Sequence, residues 1–191
     1  MSDRAAEARL PPGNELLSVE EVQDGLKRLV EQLQTVINQS DCLLLGVLTG
    51  GMFPLVWLAD ALDGDFLLDY CHATRYLGGL RGGELHWFKE PGLSLKGLTV
   101  VVVDDIWDEG VTLAAVADYC RKAGAARVLT AVLIIKDRQR PAGITPPDFD
   151  AGLHVPDQYV FGCGMDFDNR WRHLRAIYAL PADDPKVEDL A

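Results

Sequence analysis

Val100-Val101-Val102-Val103-Asp104-Asp105-Ile106-Trp107-Asp108-Glu109-Gly110-Val111-Thr112-Leu113 is the stretch on which the reading of this chain turns. With Leu98 and Thr99, the four valines make the strongest strand signal present. A short continuous apolar run suits a strand covered on both faces, as in a parallel sheet. The paired acids Asp104 and Asp105 are expected to close it. Asp108, Glu109 and Gly110 then make a turn, and residues 112–123 read as a helix capped by Gly124. A strand feeding a helix through a glycine turn offers free backbone N–H groups and the positive end of a helix dipole. Ligands of open α/β sheets sit at the carboxyl ends of strands, and phosphates sit on helix N-termini. A bare Asp-Asp pair reads most simply as a strand cap. Beside a glycine turn and the Thr112 hydroxyl, the pair reads instead as a site for sugar hydroxyls or for Mg²⁺ held through oxygen.

The flanking segments repeat the alternation of strand and helix. Leu43-Leu44-Leu45-Gly46-Val47-Leu48 is a second buried strand, broken by Thr49-Gly50-Gly51. A helix should begin near Met52, with Pro54 tolerated in its first turn. Before them, Val22, Leu26, Leu29, Val30, Leu33, Val36 and Ile37 recur at helical spacing. Ser18 and Glu21 have the spacing of a capping box, so that helix covers about residues 18–38. Residues 65–74 and 128–135 read as further strands, and 159–161 and 176–179 as short ones. Four prolines (Pro141, Pro146, Pro147, Pro156) make 136–157 loop-rich. Five glycines and Pro91 make 77–94 a long mobile loop, with a hairpin as the variant reading. Residues 1–13 are a flexible lead-in and 181–191 a flexible acidic tail. With no repeat and no linker, residues 1–191 are expected to form one α/β domain, a mainly parallel sheet with crossover helices.

Composition narrows the function. Hydrophobic residues make up 48% and charged residues 25%, as in a globular chain. A formal charge of −11 argues against nucleic acid and against an anionic membrane surface as partners. No apolar run reaches the roughly 18 residues of a membrane span. The Met1-Ser2-Asp3-Arg4 start lacks the apolar core of a secretion signal. Cys42, Cys71, Cys120 and Cys163 lie far apart, so neither a zinc site nor a disulfide frame is suggested. A reduced, cytoplasmic protein is the expectation.

The Val100–Leu113 segment resembles the phosphoribosyl diphosphate (PRPP) loop of type I phosphoribosyltransferases. Leu45-Gly46-Val47-Leu48-Thr49-Gly50-Gly51 is similar to the pyrophosphate loop of their 6-oxopurine branch. Val155-Pro156-Asp157-Gln158-Tyr159-Val160-Phe161-Gly162, then Met165-Asp166-Phe167 and Arg172, resemble that branch's purine-binding region. Lys136 follows a strand where the branch places its purine-contacting lysine. The matches run in family order over about residues 43–180 and point to the hypoxanthine-guanine phosphoribosyltransferases. The implied fold is a central, mainly parallel sheet flanked by helices, with a small hood and a long mobile loop.

The resemblance also implies roles. Asp104 and Asp105 would take the ribose hydroxyls and help order Mg²⁺. Asp108 would handle the proton at purine N7. Backbone N–H groups of Asp108, Glu109, Gly110, Val111 and Thr112 would hold the 5′-phosphate. Thr49, Gly50 and Arg172 would take pyrophosphate. Lys136 would contact the 6-oxo group, Tyr159 would stack on the base, and Val160 would read its edge. Asp166 would sit near a second Mg²⁺ and the base 2-position. Arg75 and Tyr76 would lie at the stem of the mobile loop. A homodimer or homotetramer is implied as well. Some positions depart from the pattern. Glu109 replaces a common threonine, Thr49 a common lysine, and Thr74-Arg75-Tyr76 a common Ser-Tyr, while Val111 stands at a variable, sometimes basic position. A carboxylate at 109 would have to turn away from a bound phosphate. The implied activity is purine salvage, a Mg²⁺-dependent transfer of phosphoribosyl from PRPP to hypoxanthine or guanine. Two alternatives stay open: a transferase for xanthine or a pyrimidine, and a non-catalytic PRPP-binding regulator.

Overall fold

The computed structural model describes residues 11–75 and 85–181. Residues 1–10, 76–84 and 182–191 lie outside the described residues. With them go Tyr76, residues 77–84 of the expected mobile loop and nearly all of the expected flexible ends, while residues 85–89 of that loop are a strand. The elements in order are β1 (Asn14–Leu17), α1 (Val19–Ile37), β2 (Cys42–Leu48), α2 (Met52–Ala61), β3 (Leu67–Arg75) and β4 (Leu85–Lys89). There follow β5 (Thr99–Trp107), α3 (Val111–Lys122), β6 (Arg127–Asp137), β7 (Phe149–Pro156), β8 (Val160–Phe161) and β9 (Ile177–Ala179).

Six strands form one sheet in the order β4-β3-β2-β5-β6-β7. All neighbours are parallel except β4, which runs antiparallel to β3. The apolar runs seen in the sequence supply the middle of this sheet. Leu43, Leu44 and Leu45 of β2 and Val100 to Val103 of β5 are fully buried. Each such side chain contributes roughly 1.5–3 kcal/mol on removal from water. Helices cover both faces. The Ser18 hydroxyl accepts from the Glu21 N–H at 3.2 Å, and the Glu21 carboxylate accepts from the Ser18 N–H at 2.8 Å, which starts α1 where expected. Its Val22, Leu29, Leu33, Val36 and Ile37 join the core on one face, and Leu55 of α2 packs over Gly46 there. On the other face Leu113, Val116 and Cys120 of α3 meet Leu45, Val100 and Val102.

The structure corrects three expectations. The acids do not end β5, which runs on to Trp107 because its ladder with β6 continues, with Asp104 opposite Val132 and Trp107 opposite Ile135. Residues 149–156, read as loop, form β7 at the sheet edge. Its Ala151, Leu153 and Val155 are buried while Gly152, His154 and Pro156 are exposed. Residues 14–17, between the lead-in and the expected helix and given no element from sequence, form β1. It pairs antiparallel with β9, which pairs with β8. This three-stranded sheet is the small hood, packed around Phe161, Phe167 and Leu180.

Candidate active site

The carboxyl ends of β2, β5, β6 and β7 open on a cavity of about 670 Å³. The hood closes its far side with Tyr159, Val160, Met165, Asp166, Arg172 and Leu180. This is the edge of a parallel sheet at which ligands bind.

Asp104 and Asp105 stand where β5 enters the cavity. Each carboxylate accepts from the next backbone N–H, Asp104 from Asp105 at 3.0 Å and Asp105 from Ile106 at 2.8 Å. Burial pushes Asp104 well above the usual carboxylate range, and the charge of Asp105 adds to it. Burial pushes Asp105 up too, against the opposing hydrogen bond from Asp104 and the charge of Arg172. Two buried carboxylates side by side favour a cation beside them. The backbone of Gly50 passes so close that a Cβ there would run into the Asp105 carboxylate. Among the described residues no group of three or more metal-ligating side chains exists. The two adjacent carboxylates are the kind of oxygen donors that Mg²⁺ takes, one or two carboxylates holding it together with waters and substrate oxygens. The third expected ligand, Asp166, is engaged by Arg172 at 2.7 Å and by the Asn169 N–H at 2.8 Å.

Beyond β5 the chain turns through Asp108 to Gly110. Gly110 has φ 77°, the left-handed region, and a Cβ there would run into the Trp107 indole. Only glycine takes both conditions at low cost. The turn starts α3, whose first internal bond runs from the Ala114 N–H to the Gly110 carbonyl. The N–H groups ahead of Ala114 have no partners within the helix. Gly110, Val111 and Thr112 line the cavity, as does Glu109, whose charge bears on Arg138.

Asp108 sits between two cations. Its carboxylate accepts from Lys136 Nζ at 2.8 Å and from Arg138 Nη1 at 2.6 Å. Burial pushes the Asp108 carboxyl up, but these hydrogen bonds and charges outweigh it and hold the group below its ordinary value. Arg138 Nε is buried with no acceptor among the described residues, so Arg138 meets Asp108 through Nη1. Asp157 lies 3.8 Å from the same guanidinium. On the hood, the Tyr159 hydroxyl donates to the Asp166 carbonyl at 2.9 Å, and its ring meets Phe167 edge-on at 6.0 Å. Arg172 donates to the Gly164 carbonyl at 2.7 Å while holding Asp166.

Thus Gly50, Asp104, Asp105, the 108–112 turn, Lys136, Tyr159, Val160, Asp166 and Arg172 come together around one cavity. Thr49 is not among its lining residues, and its carbonyl accepts from the Met52 N–H at 3.3 Å. Arg75 ends β3, beside the segment outside the described residues. Sequence reasoning gave no role to Arg138, Asp157 or Arg140, which the ends of β6 and β7 bring to the site. The only signal for the two arginines is the run Lys136-Asp137-Arg138-Gln139-Arg140, basic at every second position.

A family model of the phosphoribosyl transferase domain matches residues 13–168. The chain belongs to the phosphoribosyltransferase family. This phosphoribosyltransferase is 30% identical over 166 residues to the hypoxanthine-guanine phosphoribosyltransferase of Bacillus subtilis, covering 86% of the present chain and 91% of the relative. It is 28% identical to the hypoxanthine-guanine-xanthine phosphoribosyltransferase of Tritrichomonas foetus, over 85% and 88% of the two chains. Its fold superposes on a hypoxanthine phosphoribosyltransferase from Staphylococcus aureus with a TM-score of 0.81 at 25% identity, over 88% and 91% of the two chains. These likenesses put the transferase in the hypoxanthine-guanine branch of the type I enzymes, and it is a glycosyltransferase. No helix of its described residues is long and apolar enough to cross a membrane.

Proposed function

We propose that this phosphoribosyltransferase serves purine salvage, moving the 5-phosphoribosyl group from PRPP to hypoxanthine or guanine to give IMP or GMP and pyrophosphate. The observation that carries the reading is the Lys136–Asp108 pair, 2.8 Å apart on the wall of the cavity that Tyr159 also lines. A 6-oxopurine laid on Tyr159 presents an oxo acceptor and a ring N7–H side by side. An ammonium next to a carboxylate answers both. The Val160 backbone reads the base edge, and Asp166 lies by its 2-position.

The bond from ribose C1′ to the pyrophosphate oxygen breaks, and a bond from C1′ to purine N9 forms. Asp108 accepts the proton at N7, a contribution of about 10²–10⁴-fold for a well-placed base. The α3 N-terminus holds the 5′-phosphate, and the ribose hydroxyls lie on Asp104 and Asp105. Arg172, with the Gly50 backbone, takes pyrophosphate. Most of the acceleration comes from fixed positions and fixed charges. Mg²⁺ bound at Asp104 and Asp105 would neutralise charge on PRPP and on the leaving pyrophosphate.

Lys136→Ala tests the reading. It should lower kcat/KM for guanine by about tenfold or more, the worth of one lost charged hydrogen bond of 1.5–3 kcal/mol, and leave PRPP affinity in place. Unchanged kinetics would make Lys136 a bystander and remove the base assignment. The enzyme is also a homo-oligomer in this reading. Leu68, Tyr70 and Phe88 stand exposed on the sheet face that carries α2, beside the exposed Val56. Light scattering should return a multiple of 21.0 kDa, and a mass of one chain would contradict it. Four free, buried cysteines suit the reducing cytoplasm.

A further inference from the structure

Arg140 lies three residues beyond β6, outside every motif of the sequence, and its guanidinium reaches four backbone carbonyls of the site's frame. Its Nε donates to the Asp108 carbonyl at 2.8 Å. Nη2 donates to the Trp107 carbonyl at 2.9 Å and to the Lys136 carbonyl. Nη1 donates to the Arg138 carbonyl at 3.1 Å. The guanidinium carbon sits 3.4 Å over the Trp107 ring. One planar group thus satisfies two carbonyls at the end of β5 and two at the end of β6, and stacks on the indole that underlies Gly110.

The two residues whose side chains meet at 2.8 Å in the site, Asp108 and Lys136, are the residues whose carbonyls this guanidinium ties together. Charged donors make the stronger class of hydrogen bond. A rigid fork holds several acceptors at once, which a lysine ammonium does not reproduce. We propose that Arg140 is a positioning residue that locks the proton-accepting turn to the base-recognising end of β6. It touches neither base nor PRPP in this assignment and acts through Asp108 and Lys136. The inference rests on the function proposed above, but its first test does not.

That first test is hydrogen exchange on the full chain. In Arg140→Met, exchange should rise together at amides 108–110 and 136–138 and stay unchanged in β2. Unaltered exchange at either segment overturns the clamp whatever the activity. The second test is kinetic, with PRPP, Mg²⁺ and guanine. An inactive parent would contradict the proposed function and leave the exchange result to decide on the clamp. In an active parent, Arg140→Met should lower kcat by about 30-fold or more, since a misplacement near 1 Å costs about 10²-fold. In an Asp108→Asn background the same change should cost less than about threefold further, because residues acting as a unit are not additive. Losses that multiply would mean a general structural role and overturn the proposal. Arg140→Lys keeps the charge without the fork and should rescue less than half of kcat; full rescue overturns the proposal. Should Arg140→Met fail to fold, Arg140→Lys carries every arm, and failure of both to fold overturns the proposal in favour of a folding role.

Discussion

Asp108 must be ionised to accept a proton, and its surroundings are arranged for that. Lys136 and Arg138 hold the carboxyl below its ordinary value against the pull of burial. A lowered carboxyl contributes to stability above its unfolded value, and that contribution fades as pH falls through the folded value. Arg138→Gln removes one of the two cations and should raise the Asp108 value. The acid limb of the kcat/KM profile with guanine should then move to higher pH, while the plateau above it changes little. An acid limb that stays in place would show that Arg138 does not act on this carboxylate. Asp108 and Lys136 are legible in the sequence because they sit in a strand-turn-helix motif and at a strand end. Arg138 and Arg140 are not. A basic run after a strand reads as a solvated face, and only the parallel pairing of β5 with β6 carries it back to Asp108, 30 and 32 positions away.

Elements set where such side chains can go. In the proposed function the α3 N-terminus is the phosphate cradle, with Gly110 turning at φ 77°, where a Cβ would sit 2.7 Å from Ile144 Cγ2 and run into the Trp107 indole. Gly110→Val should therefore weaken PRPP binding by about tenfold or more, while the left-handed penalty of roughly 1–2 kcal/mol lowers Tm by only several degrees. Equal PRPP affinity by calorimetry would place the phosphate elsewhere. Most of the sheet is legible for a simple reason: β2 and β5 are buried on both faces and so read as continuous apolar runs. β7 is not, because it lies at the edge, alternates with Gly152 and His154, and is framed by Pro146, Pro147 and Pro156. β1 is hidden for a related reason. Its residues Asn14-Glu15-Leu16-Leu17 carry no apolar run and become a strand only when β9 comes alongside.

The whole molecule carries −11, yet it is assigned a polyanionic substrate. Net charge acts from a distance and is screened within about 8 Å at physiological salt. The cavity wall itself holds six carboxylates, Asp104, Asp105, Asp108, Glu109, Asp157 and Asp166, so an anionic substrate has to be met group by group, by Lys136, Arg138, Arg172 and the α3 N-terminus. Asp183, Asp184, Glu188 and Asp189 add to the total from the tail. Selectivity among bases follows from the same walls. In the proposed function Lys136 donates to a 6-oxo group, whereas adenine presents an amino donor there, and a buried donor left unpaired costs about 1–3 kcal/mol. The most direct measurement is pyrophosphate release by the purified chain with PRPP, Mg²⁺ and each free base in turn. Release should be rapid with hypoxanthine or guanine and lower with adenine by at least about fivefold in kcat/KM, the ratio set by one such unpaired donor. Comparable kcat/KM for adenine and guanine, or no release with any 6-oxopurine, would contradict the assignment.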